Sequence, residues 1–375
     1  MLTRQTRPAR AGFDFKCFAR RLLRWHARHG RHDLPWQGES GRLPDAYRVW
    51  VSEIMLQQTQ VGTVIPYFQR FMQRFPDLAT LAAAPEDDVL AYWSGLGYYS
   101  RGRNLLKAAQ RLQQQFAGRF PRDRQVLQSL PGIGRSTAAA IVAQAYNEPA
   151  AIMDGNVKRV LARVHAVAGW PGLSAVSAQL WALAEQHIPK TAAARYTQAI
   201  MDLGATVCTR HRPDCEHCPV AGQCYAYRYR QQADYPGRKP RRAKPTRPLT
   251  IMVPLNATTG QVFLEQRPAA GIWAGLWSFP ELPDDSTPAV FCRSRRWRCA
   301  AVEPHTLKPF KHILTHVDFA VAPVLLRISD PPADIVYGRQ SRPGVWLDPN
   351  ALGRRGVSVL VRKVFNQLQS AAVVA

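Results

Sequence analysis

Leu130-Pro131-Gly132-Ile133-Gly134-Arg135-Ser136-Thr137-Ala138 lies between two stretches of helical periodicity. Pro131 ends the first helix, because its ring clashes with a continuing turn and it has no backbone donor. Gly132 and Gly134 permit backbone angles closed to other residues. Without side chains they also let backbone N–H groups approach an anion at the start of the next helix, where the helix dipole favours negative charge. A Gly-x-Gly by itself fits an unliganded helical corner equally well. The Leu-Pro lead-in, the two flanking helices, Arg135 and a strongly basic chain favour a phosphate clamp.

Outward from this hairpin the pattern is helical from about residue 14 to 225, with apolar positions recurring at three and four, as in Val157, Val160, Leu161 and Val164. Turn signals such as Phe75-Pro76-Asp77, Gly95 to Gly97 and Trp170-Pro171-Gly172 divide it into many short helices, with no fixed-period repeat. Residues 231–248 change character: Pro236, Pro240, Pro245 and Pro248 alternate with Arg and Lys, and the segment reads as a stiff basic linker that cannot bury itself. After Leu249 the period becomes two, in Ile251 and Val253, then Val262 and Leu264. Ile313, Thr315, Val317, Phe319 and Val321 are expected on one face of a strand, and a helix from about Val357 to Leu368 closes the chain. The expected organisation is therefore an all-α region over residues 1–230, a linker over 231–248 and an α+β domain over 249–375.

The 375 residues suffice for two packed domains, with 46% apolar and 20% charged residues. Fifty Lys and Arg against 26 Asp and Glu leave a net charge of +24, which points to a polyanionic partner through counterion release. Charge alone does not separate DNA from RNA or from an acidic membrane. Residues 1–33 carry nine Lys/Arg and two acids, and residues 226–248 carry eight and one. These segments fit arms lying along phosphates as well as they fit solvated tails. No apolar run approaches the roughly 20 residues that cross a bilayer. The N-terminus lacks the apolar core of a secretory signal. It is Arg-rich enough for a transit peptide, but Phe15, Phe18, Leu22, Leu23 and Trp25 already form an amphipathic helix within it. A bacterial, cytoplasmic, nucleoid-associated protein is expected.

Of seven cysteines, Cys17, Cys292 and Cys299 are scattered, while four follow the spacing Cys208-x6-Cys215-x2-Cys218-x5-Cys224. Four thiolates hold either a tetrahedral zinc ion or a 4Fe–4S cluster. Ribbon-type zinc sites pair two short Cys-x2-Cys knuckles, and here there is one between unequal loops, which favours the cluster. The loop also carries Arg210, His211 and Arg212, suited to a phosphate. This spacing resembles the iron–sulfur loop of the endonuclease III and MutY glycosylases, and the segment from Leu130 to Ala138 resembles their helix-hairpin-helix. The resemblance runs through nearly the whole chain after about residue 14. It implies an all-α helix-hairpin-helix glycosylase region in two helical lobes with a 4Fe–4S loop held by Cys208, Cys215, Cys218 and Cys224. A C-terminal α+β domain similar to the Nudix fold would follow.

Cleavage of an N-glycosidic bond needs a proton for the leaving base and negative charge near the developing oxocarbenium ion, and a pair of carboxyl groups can supply both. Glu53 sits in the apolar stretch Trp50 to Val61, where partial burial raises a carboxyl pKa and suits a general acid. A snorkelling or Arg-paired Glu is the plain alternative. Asp154 precedes a clear helix and alone reads as its cap, in a position that also keeps it ionised. Both stretches resemble MutY signatures. The resemblance implies that Glu53 protonates adenine, that Asp154 stabilises the sugar cation electrostatically or through a transient adduct, and that Asn156 holds Asp154 in place. Bifunctional relatives carry the Schiff-base lysine where this chain has Ser136, which implies a monofunctional hydrolase. Lys158 is expected at the DNA, where it is the candidate for an incidental adduct with the abasic sugar.

The same resemblance assigns DNA and base contacts to Trp36 in Leu34-Pro35-Trp36, to Gln58 and Thr59, to Tyr98, and to the hairpin residues Gly132, Gly134 and Ser136. Arg101 and Arg103 are expected on phosphates. Arginine is expected immediately before Asp33, where His32 stands. In the C-terminal domain Gly271 to Pro280 is the closest match, and the following Glu281 to Ser286 lacks a Nudix box and so a magnesium site. The lesion-reading loop matches Leu314-Thr315-His316, with Thr315 and His316 expected to read 8-oxoguanine and a plain strand as the alternative for Thr315. The implied partner is double-stranded DNA with adenine opposite 8-oxoguanine or guanine, bound by a monomer without a membrane. A pyrimidine-lesion glycosylase/lyase of the endonuclease III type and a non-catalytic iron–sulfur DNA-binding protein are the rival readings. Ser136 and the second domain weigh against the first.

Overall fold

The computed structural model describes residues 12–39, 41–240, 243–303, 306–330, 343–349, 352 and 355–370. The basic segment before residue 12 lies outside them. Contacts divide the chain into one unit of residues 1–82 and 107–241 and a second of 83–106 and 242–375. Residues 83–106 thus go with the later sequence and not with the helical stretch that flanks them.

The first unit is built of helices: α1 (Phe15–His29), α2 (Ala46–Leu56), α3 (Val61–Arg74), α4 (Leu78–Ala82), and, after the second unit's α5 (Glu86–Trp93) and the divided α6 (Ser100–Phe116), α7 (Arg124–Gln128), α8 (Arg135–Tyr146), α9 (Gly155–His165), α10 (Ser174–His187), α11 (Ala193–Asp202) and α12 (Tyr225–Arg228). At its centre is α8, buried without interruption from Thr137 to Ala145. A helix buried all round needs small side chains where neighbours approach closely, and α8 supplies alanines against α2, α7 and α11. On α2 the residues Val49, Trp50, Val51, Ile54 and Met55 are buried, each large one contributing roughly 1.5–3 kcal/mol. Glu53 therefore projects from a helix that is otherwise core.

Asp154 caps α9 by accepting a hydrogen bond from the Val157 amide, and the expected apolar stripe of Val157, Val160, Leu161 and Val164 is buried. The same helix buries Arg163, 3% exposed. Its guanidinium donates to the carbonyls of Thr209, Arg210, Gln232 and Tyr235. These bonds correct the reading of 231–248 as a linker unable to bury itself. Tyr235 is buried, the Gly237 amide donates to the Gly169 carbonyl at 3.0 Å, and the first strand of the second unit already begins at Thr246. The buried cation satisfies carbonyls that a bare Pro-rich segment would leave to water.

The second unit centres on a seven-stranded sheet: β1 (Thr246–Asn256), β2 (Val262–Gln266), β3 (Trp277–Ser278), β4 (Arg298–Glu303), β5 (Phe310–Ile313), β6 (Asp318–Asp330) and β7 (Gly344–Leu347), with α13 (Pro288–Ser294) and α14 (Val359–Ser370). The order is β3-β2-β1-β6-β4, with β5 on β6 and β7 on β2; β1 and β6 are parallel. Alternation sorts the two faces, as expected from the period of two. Ile251, Val253 and Leu255 pack with Leu360, Val364 and Phe365 of α14, whereas Met252 joins Phe291 of α13 and Trp297. Cys292 and Cys299, read as scattered, form a disulfide with a Cα–Cα separation of 6.5 Å, because the turn after α13 returns the chain directly into β4.

One stretch departs from its alternating pattern. The alternation from Ile313 to Val321 is broken by a hairpin: β5 ends at Ile313, which pairs with Asp318, and the Leu314 amide donates to the Val317 carbonyl. Four loop residues invert the parity, so Phe319 shares a face with buried His312, while Ile313 is 67% exposed.

Candidate active site

Two carboxyl groups lie within electrostatic reach of each other in the first unit. Glu53, half-buried near the end of α2, has its Oε1 3.1 Å from the Gln144 amide nitrogen on α8. Burial pushes its pKa up to about 7, the negative charge of Asp154 adds to the rise, and the Gln144 bond opposes it. Asp154 accepts from the Val157 amide at 2.7 Å and from the Asn156 side chain at 3.0 Å. Its pKa is also raised by burial, against both hydrogen bonds and Arg159. Chemically, the pair is a carboxyl that is protonated near neutral pH beside one whose anion is held by two N–H donors.

Asn156 connects this pair to the cysteines. Its Oδ1 accepts from Arg159 at 2.8 Å, and Arg159 also donates to the carbonyls of Cys208 and Gly204, both at 2.7 Å. Cys208, Cys215, Cys218 and Cys224 line one recess together with Arg163, Val207, Tyr227 and Gln232. Donors point at two of the sulfurs, Arg163 at Cys208 (3.4 Å) and Gln232 at Cys215 (3.6 Å), an arrangement that suits thiolates. Burial and the charges of the neighbouring cysteines push the Cys218 thiol up to about 12 and the Cys224 thiol up to about 11. Among the described residues no three His, Cys, Asp or Glu side chains converge tightly enough for a single metal ion.

At the hairpin, Gly132 has φ +79°, and Gly134 caps α8 at φ −89°. A Cβ on Gly134 would meet nothing within 4 Å, so its bareness serves no internal packing and leaves the exposed backbone open to an outside anion. Ser136 Oγ accepts from the Met153 amide at 2.9 Å, tying the start of α8 to the loop that carries Asp154. Lys158 is half-buried in the first turn of α9. Gln58 is exposed with φ +59°, a backbone conformation uncommon outside glycine, and Thr59 is half-buried beside it. Trp36 is buried, edge-on to Phe68. Beside His32, the neighbouring Arg31 is bound to buried Asp202.

Within the second unit, Tyr98 Oη and Thr315 Oγ1 lie 2.9 Å apart. Tyr98 is exposed with φ +48°, and Thr315 and His316 sit exposed in the turn between β5 and β6, not in the interior of a strand. Leu314 packs against the core. Residues assigned separately from the sequence are thus brought together.

These features have counterparts in known proteins. Residues 51–186 match the HhH-GPD superfamily base excision DNA repair protein model, and residues 250–367 match a NUDIX domain model. Over 95% of its length the chain is 36% identical to an adenine DNA glycosylase of Mus musculus, spanning 78% of that protein. Over 94% it is 33% identical to one of Buchnera aphidicola subsp. Baizongia pistaciae (strain Bp), spanning 97% of it. The chain belongs to the adenine DNA glycosylase family. A solved thermostable thymine-DNA glycosylase covers 57% of the chain and 97% of its own, at 27% identity and a TM-score of 0.51.

For an adenine DNA glycosylase, some residues fall differently from expectation. Arg101 is 7% exposed and turns inward, donating to the carbonyls of Leu96 and Gly97 and lying over the Tyr98 ring, and Arg103 donates to the Ala274 carbonyl. Arg101 braces the tyrosine loop from within, and Arg103 ties the start of α6 to the segment around Ala274. Gln144, Arg159 and Arg163 were missed. The available signal was a polar residue within an apolar stretch, at Gln144 in Ala138 to Tyr146 and at Arg163 between Ala162 and Val164.

Proposed function

We propose that the protein hydrolyses the N-glycosidic bond of adenine opposite 8-oxoguanine, and opposite guanine, in duplex DNA. The observation that carries this reading is the Glu53–Asp154 pair, in which burial leaves Glu53 with a pKa of about 7. Glu53 gives its proton to the departing adenine as the C1′–N bond breaks. Asp154, its charge held by the Val157 amide and Asn156, stabilises the sugar cation. Water then adds at C1′ and its proton returns to Glu53. The Ser136 hydroxyl has no amine with which to form an imine, which supports a monofunctional hydrolase. Gln58, Thr59 and Trp36 serve the extruded base and its orphaned partner, and Gly132 and Gly134 admit a backbone phosphate. Tyr98, Thr315 and His316 read the base opposite adenine.

Cys208, Cys215, Cys218 and Cys224 would hold a 4Fe–4S cluster, which when bound supplies the charge that keeps four half-buried thiolates together. A zinc ion with Zn–S of about 2.3 Å would draw its sulfurs to roughly 3.8 Å. Four cysteines lining one recess, with a single Cys-x2-Cys between unequal loops, suit the larger cluster better than a ribbon-type zinc site. Iron and sulfide in anaerobically purified protein are expected; zinc alone would refute the cluster.

The deciding experiment is single-turnover excision on duplexes with adenine opposite 8-oxoguanine, guanine or thymine. Strand cleavage only after alkali, fastest opposite 8-oxoguanine and absent opposite thymine, is expected. No excision from iron-replete protein would overturn the reading.

A further inference from the structure

We infer that Gln144 is a positioning residue for the excision reaction: its side-chain amide holds Oε1 of Glu53 as an acceptor and so confines the transferable proton to Oε2. The inference rests on the reading of Glu53 as the general acid.

Gln144 occupies the middle of the central helix α8, where Ile141, Val142, Ala143 and Ala145 around it are buried and apolar. It is itself 5% exposed. A long polar side chain at such a depth is costly unless its amide finds a partner. The partner is Glu53, 91 residues away in sequence and 3.1 Å from the amide nitrogen across the α2–α8 packing. An amide nitrogen only donates. A carboxylic acid has one oxygen that accepts and one that carries the proton, and the oxygen facing an N–H cannot be the protonated one. With Oε1 so engaged, the proton has one place left. A general acid needs this, because proton transfer requires the acidic hydrogen within hydrogen-bond reach of the base nitrogen and aimed at it.

Among the described residues no other side-chain donor is bonded to Glu53. On the helices packed against α2, Arg135 is engaged by Glu185, Tyr146 by the Phe120 carbonyl, and Arg70 and Arg74 lie over the rings of Tyr67 and Phe75. On α2 itself Arg48 donates to the Pro35 carbonyl. The charge felt at Glu53 is that of Asp154, which raises its pKa, while the Gln144 bond lowers it. Gln144 thus opposes the rise from burial and neighbouring charge while fixing which oxygen delivers the proton.

The test is the pH dependence of single-turnover excision for wild type, Gln144→Met and Gln144→Asn. Methionine keeps the volume without the donor; asparagine keeps the amide but is one methylene too short. For both, the alkaline limb should move up by about one pH unit, because the carboxylate loses its donor. The low-pH plateau should fall about tenfold, part of the 10²–10⁴-fold that general acid catalysis supplies. A purely structural glutamine would lower the amount of folded protein, or the plateau, without moving the limb. An unmoved limb in folded variants of either kind overturns the inference. Glu53→Gln, measured in parallel, separates the two levels: excision persisting at wild-type rate in that variant refutes the general-acid reading itself.

Discussion

Glu53→Gln should cost activity and return stability. The folded protein binds a proton at Glu53 up to about pH 7, whereas the unfolded chain releases it near the ordinary 4.5. Between those values the folded state holds more protons than the unfolded one, so stability falls as pH rises through this window. Below 4.5 the carboxyl is neutral in both states and costs nothing. Above 7 the folded state carries a buried anion, and the cost is the shift of about 2.5 pH units at 1.36 kcal/mol each, about 3 kcal/mol. Glutamine accepts from Gln144 as the neutral acid does and never ionises. The variant should therefore match wild type at pH 4.5 and exceed it at pH 8 by about 3 kcal/mol. That corresponds to a urea midpoint roughly 1 M higher at a slope of 2–3 kcal/mol/M. Because Asp154 and other groups titrate in both proteins, the difference between them isolates Glu53. Parallel denaturation curves from pH 4.5 to 8, followed by far-UV circular dichroism, read it. A constant difference between the two proteins across that range would refute the raised pKa, and with it the physical basis for a general acid at this position.

The remaining predictions concern the supports of the site. Arg159→Leu removes the bonds to Asn156, Gly204 and Cys208, so excision should fall at least about tenfold and iron content should drop; unchanged excision at full iron would show that Asn156 needs no such brace. Gly134→Ala meets no neighbouring atom and no forbidden backbone angle, so thermal stability should be unchanged while affinity for undamaged duplex weakens by about tenfold. Wild-type DNA affinity in that variant would remove the hairpin glycine from the phosphate contact. Thr315→Val removes the hydroxyl that bonds Tyr98, and the preference for 8-oxoguanine over guanine should fall by up to about tenfold, read from the ratio of single-turnover rates. An unchanged ratio would assign that bond to loop packing alone.

Features written in local sequence were legible. Pro131 and the glycines mark the hairpin, Asp154 marks the start of α9, and the spacing of Cys208 to Cys224 brings four sulfurs to one recess, because each depends on neighbours within a few residues. Features made by distant contacts were not. Arg163 anchors residues 232 and 235 about 70 positions away, and nothing in a Pro-rich basic segment announces that its carbonyls have a buried donor. The hairpin at Leu314 to Val317 was hidden because apolar residues continue to alternate across a four-residue turn even though the faces exchange. Arg101 and Arg103 read as phosphate ligands from charge, yet Arg101 is buried on the carbonyls of Leu96 and Gly97, and Arg103 bonds the carbonyl of Ala274, 171 residues away.

The sequence also posed a choice for Asp154, helix cap or reacting carboxylate, that the geometry dissolves. Capping fixes Oδ1 on the Val157 amide, and Asn156 takes Oδ2, so both oxygens meet N–H donors that favour the anion. Glu53 has one such donor. When two carboxyl groups share a buried site, the proton goes where the anion is least supported. The cap thus makes Asp154 the charged partner and leaves Glu53 as the proton carrier. The two roles follow from a difference of hydrogen bonds between residues of nearly the same chemistry.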